Sequence, residues 1–317
     1  EQNQGLKKTY LTGLYVRNMG ASLVGDLTVG VLNIFTPLEF FEVLRAFFEI
    51  EGGWIIFIFL LILVTSIAGI VQYLIQRPIL RFINRHHGGK DIQKGLQEKA
   101  KARLLNLPFF LALMTLVMWI GVSVFALVPF RLFMDVPYKT SLFLFFRASM
   151  IGMIAATICF FLVEDYSRKK LIPRFFPKGK LAALPGALKI SILRRIRVLY
   201  VAGTSVPMII LVGTLFFTLW QVEDSPISAP ELAREILIFT LILCGVFVIL
   251  ALRLNFLVGK SILKPIGEML GVVGKVRNGD FTARIHVLSN DEIGILGDAG
   301  NDMIAGLLER EKIRDAF

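Results

Sequence analysis

The sequence predicts an all-α membrane protein: a six-helix transmembrane bundle followed by a cytoplasmic helix–connector–helix that pairs with a second copy. Three observations lead there. Of 317 residues, 55% are hydrophobic and only 19% charged, whereas an ordinary soluble domain is roughly 25% charged. The apolar residues, 27 Phe among them, gather in runs long enough to cross a bilayer core about 30 Å thick. The net charge of +11 is concentrated between particular runs, a pattern of membrane topology.

Residues 1–257 hold the spans. Four runs of about 20 apolar residues are clean, at 54–74, 105–127, 198–220 and 236–257. A fifth, 141–162, qualifies apart from Arg147. The first, 14–35, carries Arg17, Asn18 and Asp26 but is otherwise apolar or small. Gly13, Ala21 and Gly25 line one stripe of it, with Ser22, Asp26 and Gly30 beside them; small residues so spaced let helices approach closely. Between spans one and two, Thr36-Pro37 offers an N-cap and a first-turn proline. The stretch 37–51 then reads as an amphipathic helix on the outer interface.

Orientation follows from the basic residues. The segments between spans two and three, and between four and five, hold eighteen Lys and Arg against Asp91, Glu98, Glu164 and Asp165. The other connections are acidic or neutral, so both termini are expected in the cytoplasm of a multi-pass protein of the bacterial inner membrane. Trp54, Trp119 and Trp220 then fall toward the outer side, where an aromatic belt belongs. The basic loops read as topology signals that touch anionic headgroups, which excludes a nucleic-acid site. Cys159 and Cys244 lie in apolar runs and read as small hydrophobes. His86 and His87 in a basic loop do not amount to a metal site. Pro207 and Gly245 are positions where spans five and six can bend.

Charge within lipid is costly and marks a functional candidate. Asp26 and Arg147 lie at similar depth, about 4–5 Å apart along the normal, and are expected to pair within one chain or between chains. The short outer connections leave no room for a sensor domain. An apolar ligand between the Phe-rich spans, or a cation at outer acidic residues such as Glu39, Glu42 and Glu49, is a possible input; no confident metal site emerges.

Past the sixth span the composition changes. Lys264-Pro265-Ile266-Gly267-Glu268-Met269 leads through Val273 and Val276 to Asn278-Gly279-Asp280-Phe281. After a looser stretch come Asp291-Glu292-Ile293-Gly294-Ile295-Leu296 and Asn301-Asp302-Met303. Ile266, Met269, Val273 and Val276 follow an a/d heptad, as do Ile293, Leu296 and Met303. Helices of about 14 residues are marginal alone, so two from each of two chains are expected to form a parallel four-helix bundle, with Phe281 and Ile285 laid along its side.

Residues 258–310 resemble a HAMP domain, the linker between membrane spans and output modules of bacterial receptors. The proline after the membrane, the Gly-Asp ending helix one and the Asp-Glu-Ile-Gly opening helix two carry the resemblance. Gly300 departs from it, standing where the family has a large apolar residue, and is expected to weaken the packing of helix two. Residues 311–317 begin the output helix, and the text Glu309 to Phe317 resembles the entry to the catalytic domain of bacterial membrane-bound class III adenylate cyclases. Continuing the heptad puts Arg310 and Arg314 at inward positions, where the register must change or the pair splay.

That resemblance implies a homodimer making cAMP and pyrophosphate from ATP with Mg or Mn, all of it in a catalytic domain beyond Phe317. This chain carries no catalytic residue, needs no cofactor of its own and is expected to be inactive alone. Opening at Glu1 and stopping inside a helical pattern, it reads as part of a larger protein. A histidine kinase or chemoreceptor output, a transporter, and passive anchoring are the rival readings.

Overall fold

The computed structural model describes residues 13–28, 48–49, 51–87, 94–134, 138–176, 180–181, 184, 186–189, 191–222 and 229–317. The described residues are helical or irregular. In chain order they form α1 (13–28), α2 (Gly53–His87), α3 (Lys94–Met134), α4 (Tyr138–Tyr166), α5 (Ile172–Phe175), α6 (Ile192–Tyr200), α7 (Val206–Val222), α8 (Ala229–Arg277) and α9 (Glu292–Ala316). Among the described residues, five helical stretches are long and apolar enough to cross a membrane: Gly53–Arg85, Gly95–Phe125, Tyr138–Leu171, Ile192–Phe217 and Ile236–Arg277. Of the first expected span only α1 is described. The outer amphipathic segment falls outside the described residues except at its end, where Phe48 stacks on Trp54 with centroids 4.1 Å apart. Glu39 and Glu42 lie outside as well, and Glu49 is exposed.

The central span is α4, two-thirds of whose apolar stretch is buried, while none of the corresponding stretch of α2 is. Small residues set the packing around α4. A Cβ at Gly25 would meet the Trp119 ring and one at Gly152 would meet the Trp119 Cβ. Trp119 is therefore a wedge between α1 and α4. Gly13 lies against the Tyr166 ring, and Arg17 sits 4.2 Å from that ring's centre while donating to the Gly13 carbonyl. Asn18 joins four helices: its amide donates to Gln72 Oε1, and its Oδ1 accepts from Thr115 Oγ1 and Cys159 Sγ. In lipid such polar links replace the hydrophobic drive that water would supply.

Two π-helical turns, Ser167–Leu171 and Val201–Ser205, precede Pro173 and Pro207. Proline has no N–H and its ring crowds the carbonyl four residues back, so each helix widens just before it. The first turn swings Arg168 inward, where it is 7% exposed.

The long helix α8 continues from the last expected span, 236–257, through Pro265 to Arg277 without a break. It ends in a Schellman motif: Gly279 has φ +90°, its N–H donates to the Val276 carbonyl, and the Asp280 N–H donates to the Lys275 carbonyl. Thr282 donates through both N–H and hydroxyl to Asp280 Oδ1, which holds that carboxyl below the usual carboxylate range. The turn's contribution is therefore complete at neutral pH and is lost only as acid protonates Asp280.

The connector then runs back along α9. Asn301 clamps it at two points, accepting from the Ile285 N–H at 2.8 Å and donating to the Ile285 carbonyl at 2.9 Å. Ile285 and Val287 are buried. Gly300 does not leave the expected defect: the Ile285 side chain occupies the space where its Cβ would stand. Further along α9, Arg314 is exposed and contacts Glu311 and Asp315, so within one chain the heptad's inward basic position is solvated.

Gly294 distinguishes this packing from ordinary helix propensity. A Cβ there would run into the Ser289 carbonyl, whereas one at Gly271 meets nothing. Gly294→Ala is expected to destabilise the protein by about 1–3 kcal/mol. Gly271→Ala should leave it unchanged or up to about 1 kcal/mol more stable. Thermal unfolding of the detergent-solubilised chain checks both.

Candidate functional site: a buried ionic junction

Where the spans meet the C-terminal module, four ionisable side chains are buried together. Glu164 ends α4, Arg168 lies in the π turn after it, Arg195 is on α6, and Asp291 caps α9. Arg195 is the hub. Its Nη2 lies 2.6 Å from Glu164 Oε1 and 2.9 Å from Asp291 Oδ2, with the three side chains 3%, 10% and 0% exposed. Its Nη1 donates to Ser261 Oγ at 3.0 Å. Ser261, on α8, donates in turn to Glu164 Oε2 and receives Arg168 at both Oγ and its backbone carbonyl. Two cations and two carboxylates balance, as the cost of burying unpaired charge requires.

Asp291 does two tasks at once. Its Oδ1 accepts from the Ile293 and Gly294 N–H groups and from the Ser289 hydroxyl at 2.6 Å, the N-cap of α9. Its Oδ2 faces Arg195. Glu292 accepts from the Ile192 N–H, while Ser191 accepts from Arg194 N–H. The first acidic pair of the module thus caps a helix on each side of the junction, and both carboxylates sit at positive helix ends.

A strap between spans four and five closes the arrangement. Asn106 on α3 donates to the Gly186 carbonyl and accepts from the Leu188 N–H. Asn290 donates to the Leu188 carbonyl, and Asp298 accepts from the Lys180 N–H. A polar cavity of about 30 Å³ lies beside it, lined by Ser167, Arg168, Arg195 and Asn290 among others. Ser167 Oγ, Arg168 Nη2 and Arg195 Nε are buried without a protein partner. A space of that size accommodates one or two bridging waters.

The residues expected to matter are distributed unevenly. Asp291, Glu292 and Gly294 are in the junction. Ile293 is buried against the connector, and Asn301 clamps it. Pro265, Glu268 and Met269 border a second cavity of about 90 Å³, which Ile293 and Gly294 line from the opposite side. Ile266, Val273, Leu296 and Met303 are exposed apolar residues of one chain, while Val276 and Phe281 are half-buried. Ile304, rather than Met303, is the buried residue of its turn, and Leu270 extends the exposed stripe.

Asp26 is exposed and Arg147 is 3% exposed, with its guanidinium 5.0 Å from the Phe143 ring centre. No ion pair joins the two within the described residues of one chain. No group of three or more potential metal ligands occurs among those residues.

The sequence reading missed Arg195 and Glu164 as site residues, counting both only as loop charges. Ser261 and Asn106 were passed over as well. The available signal for Arg195 was its place between Arg194 and Arg197 on an amphipathic turn, where one of three basic residues must face inward.

Residues 257–309 match the HAMP domain family. The chain is 26% identical over 174 residues to an uncharacterized protein of Mycobacterium tuberculosis, covering 54% of this chain and 28% of that protein. A second uncharacterized protein of that organism is 22% identical over 236 residues, 72% of this chain and 41% of the relative. A Mycobacterium bovis protein is also 26% identical over 174 residues, and this chain spans less than half the length of these relatives. No solved structure matches. The junction accordingly ties a set of apolar helices to a HAMP domain in a membrane protein that transmits signals.

Arg195→Met leaves two buried carboxylates without their cation and should cost about 3–5 kcal/mol. The neutral quadruple variant Glu164→Gln, Arg168→Met, Arg195→Met, Asp291→Asn keeps the helix cap, since Asn caps as well as Asp, leaves no buried charge in the cluster, and should recover most of that loss. Thermal unfolding together with amide exchange at Ile293 and Gly294 measures the difference; additive effects of the four changes would count against a coupled cluster.

Proposed function

We propose that this chain is the membrane-anchoring, dimerising and signal-transmitting region of a bacterial class III adenylate cyclase, whose catalytic domain converts ATP to cAMP and pyrophosphate. The observation that carries the transmitting role is the ionic junction. It bonds the ends of spans four and five to the cap of the second HAMP helix. Any tilt or rotation of those spans reaches that helix through buried charge rather than through flexible chain.

Dimerisation is supported by the apolar stripe of Ile266, Leu270, Val273, Leu296 and Met303, exposed in one chain. A second copy pairing its own stripe would bury it as the inner face of a parallel four-helix bundle. The cyclase output rests on the segment Glu309 to Phe317, which continues α9 at the position where the cyclase family enters its catalytic pair. The multi-pass inner-membrane location with cytoplasmic termini rests on the basic loops, as does contact with anionic headgroups. ATP and its divalent metal belong to the catalytic domain alone.

Two measurements test this reading. With Cys244→Ser as background, Val273→Cys and Met303→Cys should each form disulfide-linked dimers in membranes. The full-length protein should release cAMP from ATP, and the neutral quadruple variant should change that output about fivefold or more. Phosphorylation of a histidine in place of cAMP release would assign the HAMP domain to a kinase.

A further inference from the structure

An apolar groove of about 260 Å³ runs along the flank of the bundle. Ala112 and Leu116 of α3, Met153 and Ala156 of α4, and Val198 of α6 form its walls. Its one hydroxyl, on Thr157, donates to the Met153 carbonyl at 2.8 Å. Apart from Arg195, whose Nε has no protein partner, the groove's lining presents no polar group in need of one, and hydrocarbon is its fitting occupant. It lies in the leaflet next to the HAMP domain: Ala112 is about two turns into the expected span 105–127, Ala156 is about two turns before Glu164, and Val198 is one turn after the junction's Arg195.

The mouth is basic. Arg194 stands one turn before Val198, Arg197 is adjacent to it, and both are exposed. Neither forms an ion pair with a carboxylate among the described residues. An apolar slot beside two surface guanidiniums complements a molecule with an acyl chain and an anionic head.

The groove and the junction share walls. Phe109, Phe160 and Arg195 line both the groove and the 30 Å³ polar cavity, and the two rings meet edge to face at 5.2 Å. A chain in the groove would press on these rings and on the methylenes of Arg195, whose guanidinium holds Glu164 and Asp291. Entering the groove from bulk lipid gains no hydrophobic energy. Binding therefore depends on contacts that fill the void and on the head's attraction to Arg194 and Arg197.

We propose that this groove binds one acyl chain of an anionic phospholipid, and that its occupancy steadies Arg195 and with it the cap of the second HAMP helix. The regulatory half rests on the transmitting role proposed above; the binding half stands without it.

The test uses the purified chain, delipidated in detergent, with native mass spectrometry against phosphatidylglycerol, phosphatidylcholine and oleate. One phosphatidylglycerol per chain should be retained about tenfold more tightly than phosphatidylcholine. Ala112→Phe, which fills the groove, should abolish retention. Arg194→Gln with Arg197→Gln should equalise the two phospholipids without unfolding the protein, which keeps the proposal open to test if Ala112→Phe misfolds. Bound phosphatidylglycerol should also slow amide exchange at Ile293 and Gly294. Retention unaffected by both sets of changes, oleate held as tightly as phosphatidylglycerol, or chain-to-chain disulfides through Leu113→Cys (a second copy covering the groove) would each overturn it. Lipid retention in a protein that makes no cAMP would leave the groove intact and remove only the cyclase reading.

Discussion

The cap of the second HAMP helix is tied to the membrane helices through one buried guanidinium. Arg195 sits between Glu164 and Asp291, almost without water, and its second nitrogen reaches Ser261. Four segments distant in sequence contribute to that contact: the end of span four, the start of span five, the end of span six and the cap of α9. Buried ion pairs add little net stability compared with a well-packed apolar replacement, but breaking one is expensive. Such a cluster therefore serves to fix relative position. It holds one arrangement of the four segments against the many that apolar packing alone would permit.

Much of the architecture was legible because lipid simplifies the rules. Spans must satisfy their backbones internally and present apolar surfaces, so the runs at 54–74, 105–127, 141–162, 198–220 and 236–257 announce themselves by length and composition. The Gly279-Asp280 helix end and the Asp291 cap are local grammar, readable without neighbours. The small-residue stripe of α1 likewise implied close approach, and Gly13 and Gly25 each lie against an aromatic ring.

What was not legible depends on which face of a helix meets which partner. Arg168 and Arg195 looked like two of eighteen basic loop residues. Their burial follows from a π turn that rotates one and an amphipathic turn that points the other inward. Neither is coded by a charge count. Trp119 read as a belt residue, and its packing between Gly25 and Gly152 shows only in three dimensions. Gly300 looked like a defect because its compensation, Ile285, lies fifteen residues earlier in a stretch with no periodic pattern. The exposure of Asp26 beside the burial of Arg147 shows the same limit: depth in the membrane can be counted along a helix, but azimuth cannot.

The junction also explains why a continuous rod from span six would be insufficient. Helix α8 carries movement of the sixth span directly into the first HAMP helix, since it is unbroken from Ala229 to Arg277. A bundle changes its packing only when its helices move relative to one another, because rigid motion of the whole alters no contact. The second helix must therefore be referenced to something other than span six. Arg195 provides that reference by tying Asp291 to spans four and five, and Ser261 is where the two frames touch. Displacement of span six against spans four and five then becomes displacement of one HAMP helix against the other. In that geometry, a perturbation of Arg195 reaches the second helix through Asp291 and α8 through Ser261.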